Sequence, residues 1–317
     1  MRVLVTGMGG ELGTRVAQLL EGRREVTEIA GCDFMPPRRR LRRATFARID
    51  PRDRQRLVAF VTDFAPDAVA HFGVYEPGSR MGSREAAAST EACTVHALGA
   101  AVRAGRLERV AVRSGIEIYG RGRGHPLLPD ESAPLAPTTD YGRTCLEVET
   151  VAAGLARHHD VAVGYLRYAV VAGSHVPSPL GRVLRLPAVP VPALADPPFS
   201  LLHQDDAARA MVATLIQGAE GPMNVVGPGA ASPWQAVLLG HRIPIPVAPG
   251  GWRLAGRLAE LAGAPIPAHV LELLRRGRVA DGAHAGAVLG LGSLVPTQDV
   301  LGDLFAWATA RRLEAVA

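Results

Sequence analysis

Three observations predict an α/β fold wound on both faces of a parallel sheet. A glycine-spaced turn joins the first strand to the first helix, an acid closes the second strand, and strand and helix signals alternate through the first half of the chain. The turn runs from Thr6 through Gly7, Met8, Gly9, Gly10, Glu11 and Leu12 to Gly13. It follows an apolar run of strand type ending at Val5 and leads into Thr14 to Leu20, which has helical spacing. Gly7, Gly10 and Gly13 form GxxGxxG. One glycine permits the tight turn, one lets backbone amides approach a pyrophosphate, and one lets the helix pack on the strand. The helix N-terminus offers unpaired N–H groups and a partial positive charge to the phosphates.

The second strand, Val26 to Cys32, ends in Asp33. A carboxylate there accepts hydrogen bonds from the adenosine ribose hydroxyls and repels a 2′-phosphate, which favours NAD over NADP. Five arginines stand just beyond it, at 38, 39, 40, 42 and 43. They read either as a seat for a 2′-phosphate or, more commonly, as a solvated basic loop.

Further along, Leu57–Val61 reads as helix, Ala68–Phe72 as a buried strand, 84–104 as an alanine-rich helix and Arg109–Ser114 as a strand. A helix from Tyr141 to His158 precedes a strand over Val161–Arg167. Beyond residue 170 the texture changes. Pro177–Pro179 and Leu186–Pro198 are proline-rich and read as loop, with helix returning at 205–217, 251–262 and 300–315. The expected organisation is a Rossmann-type dinucleotide-binding domain over 1–170 and a small substrate lobe over 171–317, with segments returning to the core.

At 317 residues, with 48% hydrophobic and 21% charged, the chain suits a globular protein with a proper core. The net charge of +5 suits an anionic ligand, but no aromatic residues interleave with the basic run, which argues against nucleic acid. Cys32, Cys93 and Cys145 lie far apart without a CxxC pair, so neither a disulfide framework nor a metal site is expected. A strand from the first residues leaves no room for a signal peptide, and no apolar run reaches about 18 residues, so a cytoplasmic location without a membrane span is expected.

Along almost its full length the chain resembles the extended short-chain dehydrogenase/reductase family, the NAD-dependent sugar epimerases and dehydratases. Thr6–Gly13 is similar to the family's TGxxGxxG, which implies cofactor contacts at Gly7, Gly9, Gly10, Glu11, Leu12 and Gly13. Asp33 matches its ribose-binding acid, Ile49-Asp50 a site beside the adenine, and His71-Phe72-Gly73 a cofactor-lining HxA segment. Ser114–Gly120 resembles the SS/TxxVYG strand end, and Tyr141–Cys145 falls on YxxxK. Leu202–Asp206, Met223–Gly227, Asp281 and Leu289-Gly290 resemble later family segments in the correct order. The resemblance implies NAD, a small-molecule substrate (a sugar nucleotide or a secondary-metabolite alcohol or ketone), and a homodimer through the helices beginning near 84 and 141.

The catalytic positions depart from the family. The Ser or Thr that bonds the reacting oxygen is Gly115, the lysine after the tyrosine is Cys145, and Thr90–Thr94 replaces an asparagine segment. The tyrosine survives as Tyr141, which the resemblance implies both acts in catalysis and contacts the cofactor. Only about one part in a thousand of a free tyrosine is phenolate at neutral pH, and losing a nearby cation forfeits about 1.4–4 kcal/mol of bias toward it. Glu117 occupies a position where dehydrating and decarboxylating relatives carry a catalytic glutamate. It reads equally as a general acid or base with Tyr141 and as a strand-end salt-bridge partner. Ser114, His203, His158-His159 and Cys145 have simpler structural readings. Arg182 and Arg185 read either as a diphosphate clamp or as a solvated loop, while the family's ligand-binding Asn near this strand is Ala169. A second function class stays open: a cofactor-binding sensor or scaffold without turnover.

Overall fold

In the computed structural model, residues 1–122, 124–174, 176–261 and 263–308 are described. The first half builds β1 (Arg2–Thr6), α1 (Glu11–Glu21), β2 (Glu28–Asp33), β3 (Thr45–Arg48), α2 (Arg54–Phe64), β4 (Ala68–His71), α3 (Ser83–Cys93), α4 (Gly99–Arg103), β5 (Arg109–Gly115), α5 (Asp140–His159) and β6 (Ala162–Tyr168). The second half adds β7 (Val170–Ala172), α6 (Pro179–Leu184), β8 (Ala188–Pro192), β9 (Leu201–His203), α7 (Gln204–Gln217), β10 (Gly221–Val225), α8 (Pro233–Leu239), β11 (Ile243–Val247), α9 (Trp252–Leu261), α10 (Ala268–Arg276), α11 (Ala283–Leu289) and α12 (Thr297–Ala308).

Seven strands form one parallel sheet in the order β10-β6-β5-β4-β1-β2-β3. Both faces of its centre are covered: Val3, Leu4, Val5, Val69 and Val112 are fully buried. Helices on both sides are what let parallel strands be apolar throughout. Each such side chain contributes about 1.5–3 kcal/mol of transfer free energy. Chain order reverses between β1 and β4, which opens a crevice at the carboxyl ends of these two strands. Buried His71 pins that seam. Its Nδ1 lies 2.9 Å from Thr6 Oγ1 on β1, and its Nε2 lies 3.0 Å from Thr94 Oγ1.

The helix expected over 84–104 is interrupted by a wide π-type turn at Thr94–Leu98, where Thr90 and Thr94 bond back to carbonyls four residues earlier. α5 starts at Thr139, whose hydroxyl accepts from the Gly142 amide, and ends with Arg157, His158 and His159 in its last turn, where cations suit the helix dipole.

Leu186–Pro198, expected as loop, contains a strand. β8 (AVPVP) pairs in parallel with β11 (IPIPV). The prolines alternate with residues that serve the ladder: Ile243 donates to Pro187 O and Ala193 to Val247 O. Proline nitrogens therefore face away from the pairing, which stops the sheet at two strands. This pair, α6, α8, α10 and α12 enclose a second core around Phe199, Leu184, Val191 and Leu274. Of the final helix expected over 300–315, residues 309–315 lie outside the described residues. No described helix is long and apolar enough to cross a membrane.

Candidate functional site

A cleft runs from the glycine turn along the ends of β1 and β4 to β5. Its walls include Gly7, Gly10, Asp33, Phe72, Arg80 and Arg113. At the turn, Gly7 has φ +67°, and a Cβ there would sit 2.5 Å from Phe72 O. Gly10 donates to Gly7 O (3.0 Å) and caps α1 with no side chain, so the first-turn amides face the cleft without a covering group. Gly13 packs α1 against the turn, where any Cβ would meet Gly7 O. Gly9 does not line the cleft. It lets the loop after β2 approach, since a Cβ there would run into Met35 O and lie 2.9 Å from Asp33 Oδ2. Glu11 and Leu12 line the cleft, and Glu11 is buried with Arg39 (3.3 Å) and Arg15 (3.7 Å) beside it.

Asp33 reaches this turn because β1 and β2 pair in register, with Thr6 opposite Cys32. Burial raises its pKa, while Arg80 and the amides of Phe34, Met35 and Gly9 oppose the rise. The Phe34 amide lies 2.7 Å from Oδ1, and Arg80 Nη1 lies 3.7 Å from Oδ2. Arg80 also donates to Gly9 O (3.0 Å), laying a guanidinium across the turn. The arginine run divides. Arg39 meets Glu11, but the Arg42 and Arg43 amides bond Glu21 at the far end of α1, and Arg40 O accepts from Gln18. Asp50 is half exposed outside the cleft, its carboxylate forked by Arg52 (3.0 and 2.7 Å). Phe72 lines the cleft, and the Gly73 amide donates to Thr6 Oγ1 (3.2 Å) behind it.

The other end holds the catalytic candidates. Tyr141 enters from the first turn of α5 and is buried, outside the cleft wall. Its hydroxyl lies 3.4 Å from Arg113 Nη2, and its ring lies 4.9 Å from that of His269 on α10. Burial pushes the phenol well above its usual range; Arg113 pulls it down, and Cys145, Glu76 and Glu117 add to the rise. Glu76 closes a ring of four, with Oε1 3.1 Å from His269 Nε2 and Oε2 3.7 Å from Arg113. Glu117 is buried in an ion pair with Arg278 (2.9 Å), which also binds Glu272 (2.6 Å). Its Oε2 fills the space that a side chain at 115 would occupy, so Gly115 and Glu117 go together. The arrangement is the salt bridge that the sequence left open beside the catalytic role.

Ser114 Oγ is buried without a hydrogen-bond partner among the described residues. His203 caps α7, its Nδ1 accepting from the Asp205 amide (3.3 Å). Arg182 donates to Gly78 O and Arg185 to Leu304 O, so both clamp backbone. Arg80, Arg113, Glu76, His269 and Arg278 are additions that sequence reasoning missed. One signal was present: Arg113 ends the apolar run Val110–Val112 within β5, two residues before the Gly115 position.

Residues 3–227 match the model of the family described as NAD dependent epimerase/dehydratase family. The chain is 28% identical to the uncharacterized protein Rv0501 of Mycobacterium tuberculosis, over 96% of this chain and 83% of that protein. In fold it is similar to the UDP-glucose 4-epimerase of Thermus thermophilus in complex with NAD (TM-score 0.74, 21% identity, 98% of this chain and 100% of that one). It is similar also to the UDP-glucuronic acid 4-epimerase of Bacillus cereus in complex with UDP-glucuronic acid and NAD (TM-score 0.72, 19% identity, 97% and 98%).

Proposed function

The chain belongs to the NAD-dependent epimerase/dehydratase family, and on that premise we propose that it binds NAD and works on the carbinol or carbonyl carbon of a small molecule that carries no nucleotide, with Tyr141 handling the proton. The observation that carries the first half is the cradle: Gly7 and Gly13 placed where a Cβ would strike backbone, an α1 N-terminus that Gly10 caps without a side chain, and Asp33 beside them. These features fit a dinucleotide. Gly7, Gly10, Gly13 and the first-turn amides of α1 would hold the diphosphate, and Asp33 the adenosine ribose. With Asp33 buried and the arginines at 40, 42 and 43 docked toward the far end of α1, the reading is NAD rather than NADP.

Bound NAD supplies a hydride acceptor, or a donor when reduced. The chain's own residues do the rest. Tyr141 Oη, behind Arg113 at the edge of the cleft walled by Val74, Val171, Val176 and Pro177, would take the hydroxyl proton of an alcohol bound there or return it to a ketone. Glu117 anchors the lobe through Arg278 and keeps the position over Gly115 filled.

The substrate reading rests on the lobe's cations. Arg182 and Arg185 bind carbonyls and Arg278 is neutralised by two carboxylates, which leaves none of the three directed at a diphosphate. Pairing of two copies through α3 and α5 belongs to the same reading, with Val95 and Val151 exposed on that side.

The burial of Tyr141 beneath His269 favours a second reading, a cofactor-binding module without turnover. NADH absorbance across a panel of secondary alcohols, with the sugar product of UDP-glucose followed separately by chromatography because epimerisation leaves no net NADH, separates them. The proposal expects turnover of an alcohol, abolished in Tyr141→Phe with NAD affinity unchanged. Turnover of UDP-glucose alone contradicts the substrate reading, and turnover unaffected by Tyr141→Phe contradicts the tyrosine.

A further inference from the structure

The lysine expected beside the tyrosine is Cys145, a fully buried thiol that burial keeps neutral and that no protonation state makes a cation. A cation is present from another direction. Arg113 comes from β5, and its Nη2 lies 3.4 Å from Tyr141 Oη. We propose that Arg113 is the positioning residue that replaces the lysine, holding the Tyr141 oxygen and balancing its charge as the proton leaves, so that the cation has moved from helix α5 to strand β5. The inference rests on the reading of Tyr141 as the proton-handling group.

Geometry supports it in three ways. The guanidinium is fixed, with Nη1 donating to Val74 O (3.2 Å) and Glu76 Oε2 3.7 Å from Nη2, so its planar fork turns a set edge to the phenol. Arg113 also lines the cleft, which puts it at the seam between Tyr141 and ligand space. The third point concerns position 145. Its sulfur borders the space over Gly115 that the Glu117 carboxylate fills, so a lysine stem at 145 would press into that carboxylate. Gly115, Glu117, Cys145 and Arg113 therefore form one interlocking set.

The groups facing Tyr141 are Arg113 from β5, Glu76 from the segment after β4, Glu117 from the turn after β5, Cys145 from its own helix and His269 from α10. Arg113 draws the phenol toward ionisation; both carboxylates and the thiol oppose it. Without Arg113 the opposing groups remain.

The test uses the full-length protein with 13Cζ-labelled tyrosine. The chain has five tyrosines, and Tyr141 is assigned by the resonance missing in Tyr141→Phe. In Arg113→Gln the Tyr141 resonance should hold its phenol position to higher pH than in wild type, and Arg113→Lys should restore most of the difference. This readout needs no substrate, so it stands even if no alcohol is turned over. With turnover, kcat at neutral pH should fall about tenfold for each pKa unit, and the pH–rate profile should move alkaline. Coincident Tyr141 titrations in wild type and Arg113→Gln would overturn the proposal. If Arg113→Gln does not fold, Arg113→Met, which also removes the charge, decides: a Tyr141 titration displaced to higher pH supports the coupling, and an unmoved one overturns it.

Discussion

The two ends of the cleft are built from different materials. At the cofactor end the decisive features are backbone: glycines where a Cβ would hit a carbonyl, a helix start without a cap, and a strand register that delivers Asp33. At the catalytic end they are side chains from four separate segments, meeting as the Tyr141, Arg113, Glu76 and His269 ring. Backbone-built sites tolerate almost no substitution, whereas a side-chain site can exchange its members as a set. On the reading proposed above, the chain keeps its family's pattern at the first end and rewrites it at the second.

Perturbing the turn gives the largest expected effect. Gly7→Val asks a β-branched residue to adopt φ +67° with its Cβ against Phe72 O, at a cost of about 1–3 kcal/mol for the conformation alone before the clash. NADH binding, followed by fluorescence, should weaken by more than about a hundredfold, since 1.4 kcal/mol is a factor of ten. Retained affinity in a folded variant would remove the contrast between the two ends.

His71 ties the end of β1 to the turn after α3 by bonding Thr6 and Thr94, and burial lowers its pKa from 6.5 to about 4. Unfolded chains take up its proton below pH 6.5 and the folded protein only near 4, so stability falls as pH drops through that window and levels off below it. The expected loss is about 3 kcal/mol, read from denaturant midpoints across the window. Substituting His71→Gln should flatten the curve there, and an unchanged slope would show that other groups control acid unfolding.

Asp33→Ala removes a charged acceptor from the turn. The NAD dissociation constant should rise roughly ten- to hundredfold, from about 1.5–3 kcal/mol for hydrogen bonds to a charged group, with NADP affected less. Equal losses for the two cofactors would contradict the ribose assignment. The smallest effect belongs to Arg42→Ala and Arg43→Ala, whose parent residues dock on Glu21. Neither should change NADP affinity by more than about twofold, roughly 0.4 kcal/mol; a large drop would place the run at a 2′-phosphate.

This contrast also explains what was legible beforehand. Gly7, Gly10, Gly13 and Asp33 announce themselves because a backbone requirement leaves few permitted residues at fixed spacing. The alternating strands and helices of the first half are visible through their apolar periods. β8 and β11 were hidden, because prolines read as loop unless their alternation with ladder residues is noticed. Glu117 was visible as a residue but not as a partner of Arg278, which lies 161 positions away. Arg113, Glu76 and His269 share no local pattern; only the fold brings them to Tyr141.

The most direct test of the central claim, that the dinucleotide cradle is intact while the catalytic end has been rebuilt, is calorimetric titration of the wild-type protein with NAD and NADP in turn. The account predicts one NAD site per chain, bound more tightly than NADP. No heat of binding from either cofactor, or tighter binding of NADP, would contradict it.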